Sequence, residues 1–428
     1  MSEHALTEPQ REAIYRRNFI FFLSDFVLFS VAMGLIGPST VIPDFIRRLT
    51  DSEVLIGLSS QMFEVGWLLP QLLVARQLVR VANKKWWFVG PNIPVRFVIL
   101  IFAGIIVLLG PDRRTAILAA FLISYGIAAV GDGLVGVPWL DLVGSSLDSR
   151  RRPRLFGLGT ASVGVAMIFL APVVREILGE RGPDFPNNYA LLFGVAGILF
   201  VITIPVTLFI HELPSGKPQE TSPSLREYLP DLWRVLRQDR PYRIMIITRV
   251  LTSLFTLAGP FYIGFATEQL KMSSEVAVSN LLLMQTLGNV SGSLVFSWLG
   301  DRRALHFIRL ALIAAALQPT MALVASMVGP FPLYAGFFAA GVVQGSLAIS
   351  FLNWVLMHTS PEQRPVYSGL FNTVSAVTLL TAPVIGGMIV ESLGYEAVFA
   401  AALVVILVAV YVAFRYIRAP RPSVQPIS

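Results

Sequence analysis

The chain has 428 residues, 55% of them hydrophobic and only 14% charged, which excludes an ordinary soluble domain. So few charges cannot cover a water-facing surface, and they cluster between long apolar runs, so a lipid bilayer is the solvent. The net charge of +7 sits in the loops between those runs and carries no nucleic-acid signal, and the absence of cysteine removes disulfides, thiolate catalysis and cysteine-ligated metals.

Residues 1–17 form a polar tail containing Arg11, Arg16 and Arg17. The apolar run that follows is longer than a signal-peptide core and ends in no small-residue cleavage site, so an uncleaved first span is expected. A helix needs roughly 20 apolar residues to cross about 30 Å of hydrocarbon. Runs of that kind occur at 18–46, 54–75, 86–110, 115–143, 155–175 and 189–210. A second set follows at 244–267, 276–299, 308–328, 331–357, 366–390 and 397–414. Between the sets lies a polar linker, 211–243, whose Ser224–Arg240 part has the pattern of a surface helix; residues 415–428 form a closing tail.

The fold class expected is therefore an all-α membrane protein of twelve transmembrane helices, as two six-helix bundles over 18–210 and 244–414. Lys and Arg decide the orientation, because cytoplasmic loops retain them. With the N-terminus inside, cytoplasmic segments hold 24 basic residues and external loops 7, so both termini are expected in the cytoplasm.

The two sets repeat one another. Gly37-Pro38 and Gly259-Pro260, Ser52-Glu53-Val54 and Ser274-Glu275-Val276, and Gly66 and Gly288 all stand 222 residues apart. Arg152-Pro153, Gly157-Leu158 and Ala171-Pro172 then match Arg364-Pro365, Gly369-Leu370 and Ala382-Pro383 at 212 to 211. Tyr189 and Phe193 match Tyr395 and Phe399 at 206. Six spans per repeat make the repeats parallel, with a solute site expected at the midplane between them. Pro38, Pro172, Pro260 and Pro383 mark expected helix bends, since proline frees a backbone carbonyl.

This layout resembles the major facilitator superfamily. The resemblance rests on the six-plus-six arrangement, the repeat, and the loop Ser297-Trp298-Leu299-Gly300-Asp301-Arg302-Arg303 after span eight. It implies a gating role for Gly300, Asp301, Arg302 and Arg303. The equivalent first-half stretch, Ala75-Arg76-Gln77-Leu78-Val79-Arg80, keeps the basic residues and lacks the acid. The paired glycines of the family's drug-antiporter signature are missing after Ala171-Pro172 in span five, although Pro383-Val384-Ile385-Gly386-Gly387 occurs in span eleven.

An ionisable group inside a span costs roughly 2.5–3.5 kcal/mol, so it should face the bundle interior. Asp25, Glu64, Arg96, Asp132 and Arg249 qualify; Asp141 and Arg175 lie near span ends as anchors. At about 100° per residue, polar stripes run along Gln61 and Glu64 in span two, Tyr125, Asp132, Gly136 and Trp139 in span four, Arg249, Thr252 and Thr256 in span seven, and Gln285, Gly288, Asn289 and Gly292 in span eight. Glu64 and Asp132 are expected to bind substrate or a proton, with Arg249 facing them; the alternative is buried ion pairs that only hold helices together. Asp25 and Arg96, at similar depth, are placed to pair with each other. Gln285, Asn289, Gln344 and Asn372 are candidate cavity-lining amides, and Trp86, Trp87, Trp298 and Trp354 candidate interfacial belt residues.

The expectation is a permease: a secondary active transporter of a small solute by alternating access in a bacterial-type inner (plasma) membrane. It is expected to act as a monomer, without cofactor or metal, with a proton as candidate coupling ion. A drug or metabolite efflux antiporter of the same superfamily is the alternative. From another class, a membrane-embedded lipid-handling protein or enzyme would need a catalytic constellation that the chain does not display. No nucleic-acid partner is expected. The four histidines, His4, His211, His306 and His358, lie in the tail or at loop edges, and no GxxxxGK[ST] loop is present to power transport.

Overall fold

The computed structural model describes residues 7–71, 74, 78, 84–148, 151–213, 235–299, 304–359 and 364–417. Among them there is no strand, and nine helical segments are long and apolar enough to cross a bilayer. The described residues of the apolar runs are mostly helical, with breaks at 37–40 in the first run and at 254–260 in the seventh. In chain order the helices are α1 Glu8–Ile36, α2 Val41–Arg47, α3 Glu53–Leu68, α4 Lys85–Leu109, α5 Arg114–Ser146, α6 Arg151–Leu178 and α7 Asn187–Leu208. Then come α8 Arg240–Ser253, α9 Phe261–Gly264, α10 Ser274–Leu299, α11 Ala304–Val328, α12 Phe331–His358, α13 Arg364–Leu393 and α14 Tyr395–Tyr416. The linker stretch 214–234 and the loop 300–303 lie outside the described residues.

Sequence pairs of the repeat occupy matching places. Gly37-Pro38 breaks span one between α1 and α2, where Gly37 takes φ +54°, and Gly259-Pro260 breaks span seven just before α9. Glu53 and Ser274 open α3 and α10. Tyr189 near the start of α7 meets Phe193 with ring centroids 6.4 Å apart; Tyr395 at the start of α14 meets Phe399 at 6.5 Å. Pro172 and Pro383 sit inside α6 and α13. The short break between spans nine and ten is real, because Gly329 adopts φ +97° and Pro330 precedes α12.

The chain forms two compact units. The first comprises residues 1–36, 69–166 and 184–222. In it α4 packs against α5 and α7, and α1 against α7. Phe102 meets Phe121 and Phe193 at 5.6 Å each, and Phe121 stacks on Tyr125 at 5.0 Å. Asn18 uses both ends of its amide: Nδ2 donates to the carbonyls of Ser146 and His211, and Oδ1 accepts from the His211 N–H.

The second unit comprises residues 37–68, 167–183 and 223–428. In it α3 packs along α13, and α12 lies against both α10 and α11. Backbone-to-backbone contact at glycines makes these crossings close. A methyl group on Gly387 would stand 2.7 Å from backbone atoms of Glu53 and Val54, and one on Gly57 would run into the Pro383 carbonyl. Gly288 and Gly292 of α10 abut the backbone of Phe338 and Val342 in α12 in the same way. The span-eight stripe thus turns its glycines to a neighbouring helix rather than to a cavity, the small-residue packing that tight helix crossings require.

Outward faces carry large apolar side chains, with Leu108, Met327 and Phe331 each more than three-quarters exposed, as a hydrocarbon solvent permits. Trp86 and Trp87 are exposed as belt residues would be. Trp354 is not: it is buried in the second unit's core, stacked on His358 at 4.6 Å. The side chain of Trp298 lies outside the described residues.

Gly387→Leu should lower the thermal stability of the purified protein by the equivalent of about 1–3 kcal/mol or more, because α3 and α13 must separate. Gly104→Leu, at a glycine with open space around it, should leave the melting temperature within a degree or two, as read by a detergent-compatible unfolding assay.

Candidate functional site

Each unit holds its own set of membrane-buried charges. In the first unit, Arg96 of α4 donates from Nη1 to Asp132 Oδ1 of α5 at 3.0 Å, both side chains less than a tenth exposed. The guanidinium lies over the rings of Phe29 at 4.6 Å and Phe200 at 5.4 Å. Asp25 of α1 accepts a hydrogen bond from Trp139 Nε1 at 2.8 Å and lies within electrostatic reach of both Arg96 and Asp132. The pairing expected between Asp25 and Arg96 is therefore replaced. Arg96 is tied to Asp132, and Asp25 keeps Oδ1 buried without a hydrogen-bond partner. Asn92, one turn before Arg96, has neither amide atom bonded. Two carboxylates and one guanidinium give this cluster a net charge of −1 when all three are ionised.

The second unit is arranged differently. Arg249 of α8 donates from Nε to Ser375 Oγ of α13 at 2.9 Å and lies over Phe371 at 5.1 Å and Phe351 at 5.7 Å. Its two Nη groups make no hydrogen bond or ion pair among the described residues. Glu64 of α3, midway along the apolar run 54–75, is exposed, and its carboxylate has no hydrogen-bond partner among the described residues. Glu64 and Arg249 are electrostatic neighbours without an ion pair within 4.0 Å. Opposite charges are thus held in one unit with polar edges that have no partner among the described residues.

The remaining candidates divide by what they touch. Gln285 is buried and accepts from Ser39 Oγ at 2.9 Å, so its side-chain oxygen is engaged within the unit. Asn289 and Gln61 are half-buried, Asn372 likewise, and Gln344 is exposed. Asp141, read as an anchor, takes Lys84 Nζ at 2.5 Å.

A family model for the Major Facilitator Superfamily matches residues 24–317 and 244–428, which together take in most of the chain. The chain belongs to that superfamily. It is a multi-pass membrane protein of a transporter family. Among solved structures it resembles a mutant of the nucleoside transporter NupG, with TM-score 0.68 and 15% identity over 94% of this chain and 99% of that one. It also resembles the human organic anion transporter MFSD10 (TETRAN), with TM-score 0.64 and 17% identity over 93% and 99%. These likenesses show the fold. A curated relative, "Efflux pump apf11" of Gibberella fujikuroi, is 39% identical over 62 residues, 14% of this chain and only 10% of that protein's length. The superfamily loop residues Gly300, Asp301, Arg302 and Arg303 lie outside the described residues.

Two charged clusters were missed by reading spans. One joins α2 to the segments around it: Arg47 binds Glu53 with both Nη groups and Glu268 Oε1 at 2.8 Å. Tyr395 donates to Glu53 Oε1 at 3.2 Å and to Glu268 Oε2 at 2.8 Å. Beside it Ser274 donates to Asp44 at 3.0 Å. In the other, Asp239 caps α8 through the Tyr242 N–H, accepts from Tyr367 at 2.9 Å and meets His358 Nε2 at 2.8 Å. Burial alone would raise the Asp239 pKa, but the bonds from His358, Tyr242 and Tyr367 outweigh it and hold it below the ordinary carboxylate value.

Removing one member of the buried pair should cost more than removing both. Arg96→Ala should destabilise the protein by about 3–5 kcal/mol, whereas Arg96→Met combined with Asp132→Leu should recover most of that loss in the same unfolding assay. Asp239, with its folded pKa depressed, contributes stability that is present above the unfolded value of about 3.9 and lost as pH falls through the folded one. Asp239→Asn should therefore be less stable than wild type at neutral pH, with the gap narrowing below about pH 4 in a melting-temperature series.

Proposed function

We propose that this chain is a secondary active transporter that carries a small polar solute by alternating access, with its substrate held at Glu64 and Arg249 and a coupling proton held at Asp25. The observation that carries the reading is the contrast between the two charge sets. Arg96 and Asp132 neutralise each other, while Glu64 and the Nη groups of Arg249 have no hydrogen-bond or ion-pair partner among the described residues, and such uncommitted charge in a span is costly unless something polar visits it. The excess carboxylate in the first unit supports proton coupling, because Asp25, Asp132 and Arg96 balance only with one further positive charge. A facilitator without a coupling ion would need neither. The network of Arg47, Glu53, Glu268 and Tyr395 supports alternating access: it ties loop and helix ends by polar bonds that water can replace when that end opens.

The basic residues favour a plasma-membrane orientation with both termini in the cytoplasm, which puts this network on the external side. The two bundles 18–210 and 244–414 are the moving bodies of this reading, and the monomer is its working unit. Export is the second reading, favoured by the 62-residue likeness to a protein named as an efflux pump.

Protein reconstituted into liposomes should move at least one member of a panel of amino acids, nucleosides, sugars, organic acids and organic cations. That flux should respond to an imposed proton gradient. Glu64→Gln and Arg249→Gln should each lower it by at least about ten-fold, equivalent to about 1.4 kcal/mol. Asp25→Asn should keep solute exchange and lose gradient-driven accumulation. Flux indifferent to the gradient would remove the coupling, and flux indifferent to Glu64 and Arg249 would remove the site.

A further inference from the structure

The Glu64–Arg249 pair is the cluster whose chemistry says most about its ligand. Several polar groups in the spans are committed: Asp132 to Arg96, Gln285 to Ser39, Asn18 to two backbone carbonyls. Arg249 is committed on one edge only. Ser375 takes Nε, and the guanidinium lies over the rings of Phe351 and Phe371, so its position is held while Nη1 and Nη2 have no partner among the described residues. A guanidinium held in this way presents parallel N–H donors suited to a carboxylate or another planar oxyanion. Glu64, on the helix that packs along α13, presents an acceptor-only group.

Gly57 of α3 abuts Pro383 of α13 and Glu53–Val54 abut Gly387, so the two helices run antiparallel and Glu64 comes level with Ser375, the residue that holds Arg249; no ion pair within 4.0 Å joins the two charges among the described residues. A lone anion brought to Arg249 would be repelled by Glu64, and a lone cation brought to Glu64 would be repelled by Arg249. A solute with both charges meets two attractions, and the loaded site stays neutral. Two opposite charges then discriminate, because a ligand lacking one group leaves its protein partner unsatisfied.

We infer that the site recognises zwitterionic solutes, with an anionic group on the Nη edge of Arg249 and an ammonium on Glu64. The inference rests on the transport reading for the site's purpose, but the recognition itself is a binding property and can be tested separately.

Purified protein would be titrated calorimetrically at neutral pH with L-phenylalanine, L-leucine and glycine betaine as zwitterions. The single-charge analogues 3-phenylpropionate and phenethylamine serve as comparisons. At least one zwitterion should bind, and for the phenylalanine set the analogues should bind roughly 30-fold or more weakly. Arg249→Gln should abolish zwitterion binding, and Arg249→Lys should retain part of it. Glu64→Gln should weaken the zwitterion and strengthen 3-phenylpropionate. Variants that keep the wild-type melting temperature and elution profile are the ones compared.

Three results would overturn the inference: no zwitterion binding at all, a single-charge analogue binding as tightly as its zwitterion, or binding that survives both substitutions. An anion that binds only with uptake of one proton would also overturn it, by assigning Glu64 to the proton. Zwitterion binding that needs both residues but gives no flux in liposomes would leave this inference standing and remove the transport reading. Flux of some other solute that needs both residues would do the reverse.

Discussion

Hydrocarbon supplies no hydrogen-bond partner, so a polar atom carried into the bilayer must find one inside the protein or reach water in a cavity. Much of this chain's internal order follows from that constraint. Ser59, Thr203, Thr248, Thr252, Ser375 and Thr378 return their hydroxyls to carbonyls three or four residues back. Asn18 closes the ends of two helical segments at once, and Lys84 reaches Asp141. Arg96 is enclosed by a carboxylate on one side and aromatic faces on the other, which replace the hydration its guanidinium gives up. Asp25 Oδ1 and the Asn92 amide remain without partners, and Glu64 and Arg249 are the two full charges in the spans with no ion pair to each other among the described residues.

The glycines answer a second part of the constraint. Between helices in lipid the hydrophobic effect offers little, since tails and leucines are equally apolar, so close packing has to hold the helices. Gly387 on the backbone of Glu53 and Val54, and Gly288 and Gly292 on α12, give that closeness. The same unit is also tied by the polar bonds of Arg47 and Tyr395 to Glu53 and Glu268, the bonds that the proposed alternating access would exchange with water. The breaks at Gly37-Pro38 and Gly259-Pro260 fall at corresponding points of both repeats, so each repeat has a bend in its first span.

The helices, their repeat and the depth of each charge were legible because they depend on residues close together in the chain. Length of an apolar run gives a span, and a fixed offset gives a repeat. Partners were less legible, because periodicity gives the face a residue occupies and not the neighbour it meets. Asp25 and Arg96 share a depth, yet Arg96 turns to Asp132, and Trp139, on the same stripe as Asp132, takes Asp25 instead. Gly288 and Gly292 looked like cavity lining because they share a stripe with Gln285, but a stripe of small residues serves helix contact equally well. Trp354 lay at a predicted interface and is buried, since His358 and Asp239 form a polar cap there that only the fold assembles. Arg47 and Glu268 are 221 residues apart on segments outside the span cores, and no local signal joins them. A signal did exist for that network: Glu53, Arg47 and Glu268 are charges beside span ends that neither topology nor solubility requires.

Charge arithmetic links the two units without any appeal to their placement. The first unit's cluster of Asp25, Asp132 and Arg96 is short of one positive charge, whereas the second unit's pair of Glu64 and Arg249 is balanced. A cluster short of one charge binds a single cation most favourably, and a balanced pair binds a solute with no net charge. Were the roles exchanged, a proton at Glu64 would leave Arg249 as uncompensated positive charge in the second unit. The first unit, if loaded with a zwitterion, would still carry its surplus carboxylate through the membrane. The proposed assignment, a proton to one unit and a dipolar solute to the other, is the one that would leave both sites neutral when loaded. A loaded carrier with no buried net charge is also the one that crosses between its two openings with the smallest electrostatic barrier.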